Sequence, residues 1–170
     1  VLQFIYERIR AWYGEQAISA EIIQAVLMCQ PTRLIDIDKR IHAVQAFQQL
    51  PEAIALAAAH KRVHNILKKA EASKINGVDV RLSQAPAEIA LAEQLSQQQS
   101  QVMPMYEQGD YTSMLQALAS LRPTIDAFFD DVMVLVDDAA LRANRLALLK
   151  QLQQLFGHVA DISCLATQLK

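Results

Sequence analysis

Residues 128–161 limit the fold more than any other stretch of this chain. They read FFDDVMVLVDDAALRANRLALLKQLQQLFGHVAD. An apolar run over 128–136, interrupted by Asp130 and Asp131, stops at Asp137 and Asp138. A carboxylate there accepts the free backbone N–H groups of a new helix and favours its positive end. Beyond it, Leu141, Leu148, Leu152 and Leu155 recur on one helical face, and Leu149 and Phe156 widen that face. So broad an apolar surface needs several helical partners. Arg142, Asn144 and Arg145 stand between the apolar positions and are read as pointing elsewhere, and Gly157 weakens or ends the helix.

The remaining segments supply those partners. Glycines and prolines are few, while Ala, Leu, Gln and Ile are abundant, which favours helix over strand. Leu2, Ile5, Ile9 and Trp12 give an amphipathic helix ending at Gly14, and Ser19 can cap a second helix running to about Cys29. Pro31 breaks that pattern. A third helix over about 32–50 carries Leu34, Ile37, Ile41, Val44 and Phe47 on one stripe. Pro51 suits the first position of a fourth, Ala-rich helix whose buried stripe is read as Ala59, Val63, Ile66 and Ala70. Residues 73–86 form the main loop, with an Asn76-Gly77 turn and a weak hairpin signal. Helix resumes over 87–108, with a breaker at Pro104, and Gly109 ends it. Asp110 or Thr112 starts the next helix, Pro123 restarts it before 125–136, and a last segment covers 161–169. The expected fold is an all-α helical bundle of roughly seven or more helices.

Sixteen Lys and Arg face eighteen Asp and Glu, a net charge of −2, so any nucleic-acid contact must come from a local patch. The best such patch is HKRVHNILKK, residues 60–69. On a helix Lys61, Asn65 and Lys68 share a face, with Arg62 and Lys69 beside it and His64 on its border. Such cations neutralise phosphate, and Asn65 or Arg62 can read the edge of an unpaired base. Read without further context, the same residues are a solvated face that complements the helix dipole. Arg142 and Arg145 are the next candidates, since guanidinium binds phosphate and stacks on bases; the competing role is an ion pair to Asp137, Asp138 or another helix. Asn144 equally suits a buried bond between helices.

Other chemistry finds little support. His60 and His64 have the spacing of a helical zinc pair, but Lys61 stands where HExxH has Glu, and its charge repels a cation. Asp130, Asp131, Asp137 and Asp138 lack the spacing of a calcium loop. No nucleophile elbow, Walker loop or dinucleotide fingerprint occurs. Cys29 and Cys164 read as reduced thiols of a cytosolic protein, with a disulfide left open. Trp12, Tyr13, Tyr106, Tyr111, Phe128 and Phe129 are expected mostly in the core, with Tyr106 or Tyr111 the best placed to stack on a base. There is no signal peptide or apolar run long enough to span a bilayer. The chain is read as a piece of a longer polypeptide.

Two blocks also carry a resemblance. AALR at 139–142, NRLALL at 144–149 and VADIS at 159–163 resemble the C-terminal helices of DALR-type anticodon-binding domains. Within that family they look most like the C-terminal part of the bacterial glycyl-tRNA synthetase β subunit, as do FFDDVMV, the PEA turn at 51–53, and KRxxNILKK matched at Lys61, Arg62, Asn65, Ile66, Leu67, Lys68 and Lys69. Ala139 departs from the acidic residue usual in the family, which removes a possible charge contact at the helix N-terminus.

The resemblance implies one all-α region over 1–170, with leading helices over 1–50 and a DALR-like bundle over 51–170. It implies recognition of the anticodon arm of glycine tRNA by Lys61, Arg62, Asn65, Lys68, Lys69 and Arg145, with no DNA or membrane partner. It further implies a cytoplasmic α2β2 assembly with a synthetase α subunit. The fragment itself would be non-catalytic and without a cofactor or metal, ATP being used by the parent enzyme. The rival expectation is a helical protein-interaction or scaffold module.

Overall fold

A computed structural model describes residues 2–70 and 77–168. Among the described residues there are eight α-helices, three 3-10 helices and no strand. The α-helices are α1 (Leu2–Glu15), α2 (Ala20–Leu27), α3 (Leu34–Phe47), α4 (Ala53–Lys69), α5 (Pro86–Glu107), α6 (Tyr111–Leu118), α7 (Arg122–Asp131) and α8 (Ala139–Gly157). The 3-10 helices are Val80–Leu82, Ala119–Leu121 and Ile162–Gln168.

α8 is the central element. Asp138 caps it, its carboxylate accepting from the N–H groups of Ala140 (2.9 Å) and Leu141 (3.0 Å). Leu141, Leu146, Leu148, Leu149, Leu152, Leu155 and Phe156 are all buried, so α8 is covered on several sides, by α4 and α5 among others. The two polar positions expected to point outward, Asn144 and Arg145, are buried as well. α5 packs on α6 and α7, and α6 on α3; the C-terminal 3-10 helix lies against α2 and α4. One continuous core runs from Ile9 through α8 to Ala166.

A buried arginine ties α3 to the end of α8. Arg40 donates to the carbonyls of His158 and Val159, which lie past the last turn of α8 and lack helical partners. Asp36 and the Tyr111 ring hold Arg40 in turn: Nε donates to Asp36 at 3.0 Å, and the guanidinium lies 4.5 Å from the ring centre.

Several expectations need correction. Trp12 and Leu34, placed on apolar stripes, are 58% and 65% exposed. They flank a groove of about 860 Å3 between α1 and α3, lined also by Ile5, Ile9 and Ile37. The buried side of α4 consists of Ala53, Leu56, Ala57, His60, Val63 and Leu67; Ala59, Ile66 and Ala70 sit at its partly buried edge. α4 begins at Ala53, two residues after Pro51. Pro104 lies inside α5 without ending it. The carbonyl its missing N–H would have met belongs to Ser100, which is exposed to water. α7 stops at Asp131, and 132–138 is irregular. The loop read over 73–86 holds the 3-10 helix Val80–Leu82, and residues 73–76, Asn76 of the turn signal among them, lie outside the described residues, as does Leu169.

Turn chemistry separates two chain reversals. Gly109 has φ of 70°, the left-handed conformation that glycine adopts freely, and links α5 to α6. After α1, however, the left-handed residue is Ala17 (φ 59°), not Gly14. Ala17 is exposed, and its Cβ is strained there. Ala17→Gly is therefore expected to stabilise the chain by about 0.5–1 kcal/mol. A higher urea midpoint at unchanged m-value would register it; a lower midpoint would refute it.

Candidate nucleic-acid interface

The basic segment is helical because 53–69 alternates small and apolar residues with long polar ones at three- and four-residue steps. Its inner side packs against α8 and the C-terminal 3-10 helix. That docking turns Lys61, Arg62, His64, Asn65, Lys68 and Lys69 to solvent.

Lys61, Arg62, Asn65 and Lys69 line one open groove of about 560 Å3. Ala58 and Ile66 line it too, and Leu135 and Ala166 come from distant segments. The small Ala58 leaves room at this edge of α4. Arg62 is steadied from α7: its guanidinium carbon lies 4.3 Å from the centre of the Phe129 ring. This contact fixes the charge without consuming its N–H donors. Among the described residues, no carboxylate forms an ion pair with Lys61, Arg62, Lys68 or Lys69. Lys68 and Lys69 lie in the last turn of α4, where cations also complement the helix dipole. Lys68 does not line the groove.

Arg145 stands apart and is corrected as an RNA-contacting residue. It is buried, and its Nε donates to Glu88 at 2.7 Å while Nη2 meets the same carboxylate. Its Nη1 donates to the Met133 carbonyl at 2.6 Å. Buried and holding Glu88 and the Met133 carbonyl through all three of its nitrogens, it does not line the α4 groove. Arg142 reaches neither Asp137 nor Asp138, but donates to the Val136 carbonyl at 2.8 Å. Asn144 bridges helix and loop, accepting from the Asp79 N–H at 2.8 Å and donating to the Ser83 hydroxyl.

The histidines divide. His64 is exposed, whereas His60 is buried against Phe156, ring centres 4.4 Å apart. Burial pushes the His60 pKa down from 6.5 to about 4. Its neutral ring donates from Nδ1 to the Leu56 carbonyl at 3.0 Å. Of the aromatic candidates, Tyr111 is buried, and Tyr106 packs on Tyr111 and His158. Phe129 is instead the ring beside the cations, and Leu135 is the apolar residue facing them. Both lay in the run 128–136, whose pairing with α4 no local pattern specifies.

Comparison with known proteins gives a consistent picture. The family model described as the DALR anticodon binding domain matches residues 56–162, from the first turn of α4 to just past α8. Relatives named as the β subunit of glycine–tRNA ligase match nearly the whole chain. That of Marinobacter nauticus is 54% identical over 98% of this chain, that of Shewanella oneidensis 52% over 97%, and that of Coxiella burnetii 54% over 96%. The chain spans only 24% of the length of each of these relatives.

Proposed function

Because the chain belongs to the DALR anticodon-binding domain family, we propose that it recognises the anticodon arm of a tRNA through the groove beside α4. The observation that carries this reading is the gathering of Lys61, Arg62, Asn65 and Lys69 around one groove, their charges unpaired among the described residues. Lys61 and Lys69 neutralise backbone phosphates. Arg62, held by Phe129, presents a planar set of donors, and Asn65 offers both a donor and an acceptor to a base edge. Lys68 meets phosphate outside the groove. The net charge of −2 is no obstacle, because screening limits distant carboxylates to about 8–10 Å in physiological salt.

The names of the relatives extend the proposal. The RNA is glycine tRNA, and the chain serves as part of a cytoplasmic glycine–tRNA ligase β subunit, assembled with α subunits in an α2β2 enzyme. Its own role is binding, whereas ATP-dependent activation of glycine occurs elsewhere in that enzyme. No described helix is long and apolar enough to cross a membrane. One observation favours a second, protein-contact reading for another part of the surface: the apolar groove between α1 and α3, with Trp12 and Leu34 at its side. That face and the α4 groove have different lining residues, so both readings can hold.

The test is a titration with glycine tRNA, and with the same tRNA carrying an altered anticodon, at two salt concentrations. Binding should weaken with salt and with the altered anticodon. Lys61→Ala combined with Arg62→Ala should weaken it by roughly tenfold or more and flatten the logarithmic salt dependence by about one to two units. Salt-independent binding, or a double variant that binds like the parent, would count against the proposal.

A further inference from the structure

The connector between α7 and α8 is held in an unusual way. Val132 and Val134 are buried, while Met133 and Leu135 are 72% and 41% exposed. No neighbouring strand supports this segment among the described residues. Two arginines of α8 support it instead. Arg145 donates to the Met133 carbonyl and Arg142 to the Val136 carbonyl, on either side of Leu135. A bond from the Val136 N–H to the Val134 carbonyl, 3.2 Å, closes the turn around it. The Leu135 side chain thus lies on the groove that Lys61, Arg62, Asn65 and Lys69 line from α4, with Ile66 and Ala58 continuing the apolar part.

A part-exposed leucine adds little to folding, yet two guanidinium groups fix the backbone that carries it. Cations on one side and an apolar wall on the other match the two halves of a nucleotide, an anionic phosphate and a flat base with a polar edge. The groove volume, about 560 Å3, falls within the range of roughly 300–1,000 Å3 typical of sites for one small ligand. We propose that Leu135 is a base-packing residue: one unpaired nucleobase lies against it, its edge toward Asn65 and its phosphate toward Lys61 or Lys69. Arg142 and Arg145 are positioning residues that hold this wall in place. The inference rests on the RNA reading above and adds a contact that carries no charge.

That absence of charge makes it separable. An anticodon stem-loop is titrated against the parent chain, Leu135→Ser, Leu135→Phe and Lys61→Ala at low and physiological salt. Leu135→Ser should weaken binding about five- to tenfold by the same factor at both salts, because losing a base contact removes no counterion exchange. Lys61→Ala should instead reduce the salt slope. Leu135→Phe should match or exceed the parent affinity, since a ring stacks better on a base. Leu135→Ser should leave the melting temperature nearly unchanged.

Stem-loops with one abasic nucleotide at a time identify the base: at a single position, the parent and Leu135→Ser should bind equally. Arg142→Ala should weaken binding with an unchanged salt slope and add nothing to Leu135→Ser, as expected of a residue acting through the wall. Salt-sensitive binding by the parent with no loss in Leu135→Ser overturns this inference alone. A loss that persists equally at every abasic position overturns it too. Failure of the parent to bind the stem-loop at either salt overturns both it and the RNA reading; capture of an amphipathic peptide in the same groove would then replace them.

Discussion

Arg145→Ala should destabilise the chain by about 3–5 kcal/mol, one of the two largest effects expected from a single substitution here. Its partner, Glu88, is fully buried in the first turn of α5, and the only other donor to that carboxylate among the described residues is the Gln84 N–H at 3.3 Å. Removing the guanidinium leaves Glu88 without its countercharge and the Met133 carbonyl without its donor. For a chain of this size the melting temperature should fall by roughly 10 °C or more. Arg145→Lys should recover only part of the loss, because one ammonium cannot reproduce the spread of donors that meets Glu88 and Met133 together. Replacing both partners, as in Glu88→Leu with Arg145→Met, should be far milder than Arg145→Ala, since no buried charge is left alone. Urea denaturation of the three variants checks this. A loss below about 1 kcal/mol in Arg145→Ala would mean that the pair is not buried as described.

The second large effect is a pH dependence centred on His60. Its ring is buried, and Nδ1 is committed to Leu56. Burial lowers its pKa to about 4, with backbone bonding to Leu56 and Leu152 and the charge of Asp161 acting against the shift. The unfolded chain holds this histidine near its ordinary 6.5 and so binds a proton that the folded chain refuses. The stability from neutral His60 is therefore complete above pH 6.5 and is lost as pH falls toward 4, by about 3 kcal/mol in all. Carboxylates also titrate in this window, so the measurement is a difference. Between pH 7.5 and 4.5, the parent should lose roughly 2–3 kcal/mol more than His60→Leu does. Equal losses in the two proteins would show that the folded state accepts the proton at His60.

These two residues mark the boundary of what local pattern can reveal. Caps were readable: Ser19, Asp110 and Asp138 each bond to the helix that follows them within three residues. The breadth of the α8 face was readable too, because it depends on residues a few turns apart. The shared face of Lys61 and Asn65 was readable from helical geometry, but Lys68, read onto that face, lies outside the groove, and Arg62 and Lys69, read beside it, line it. For Arg145 an ion pair to another helix was one of two open readings, and its partner was not readable. Its charge says nothing about whether water, RNA or a carboxylate 57 positions earlier will meet it. His60 has the same polar identity as exposed His64 four residues on, and only the docking of α8, with Phe156 against its ring, makes it a core residue. The far wall of the groove was hidden for a related reason. Leu135 and Ala166 reach α4 through the packing of α8 and of the C-terminal 3-10 helix, which no spacing within 53–69 encodes. Trp12 and Leu34 show the converse error: helical periodicity marks an apolar stripe, but not whether anything in this chain covers it.

RNA that enters at the α4 groove should leave its footprint there, and the footprint can be mapped residue by residue. A chain of 19.0 kDa suits heteronuclear NMR with 15N labelling. On adding the glycine-tRNA anticodon stem-loop, the amide shifts should concentrate at Lys61, Arg62, Asn65, Lys69 and Leu135, with the α1–α3 face around Trp12 and Leu34 unchanged. Shifts confined to that face, or spread evenly over the surface, would show that RNA does not enter at the α4 groove.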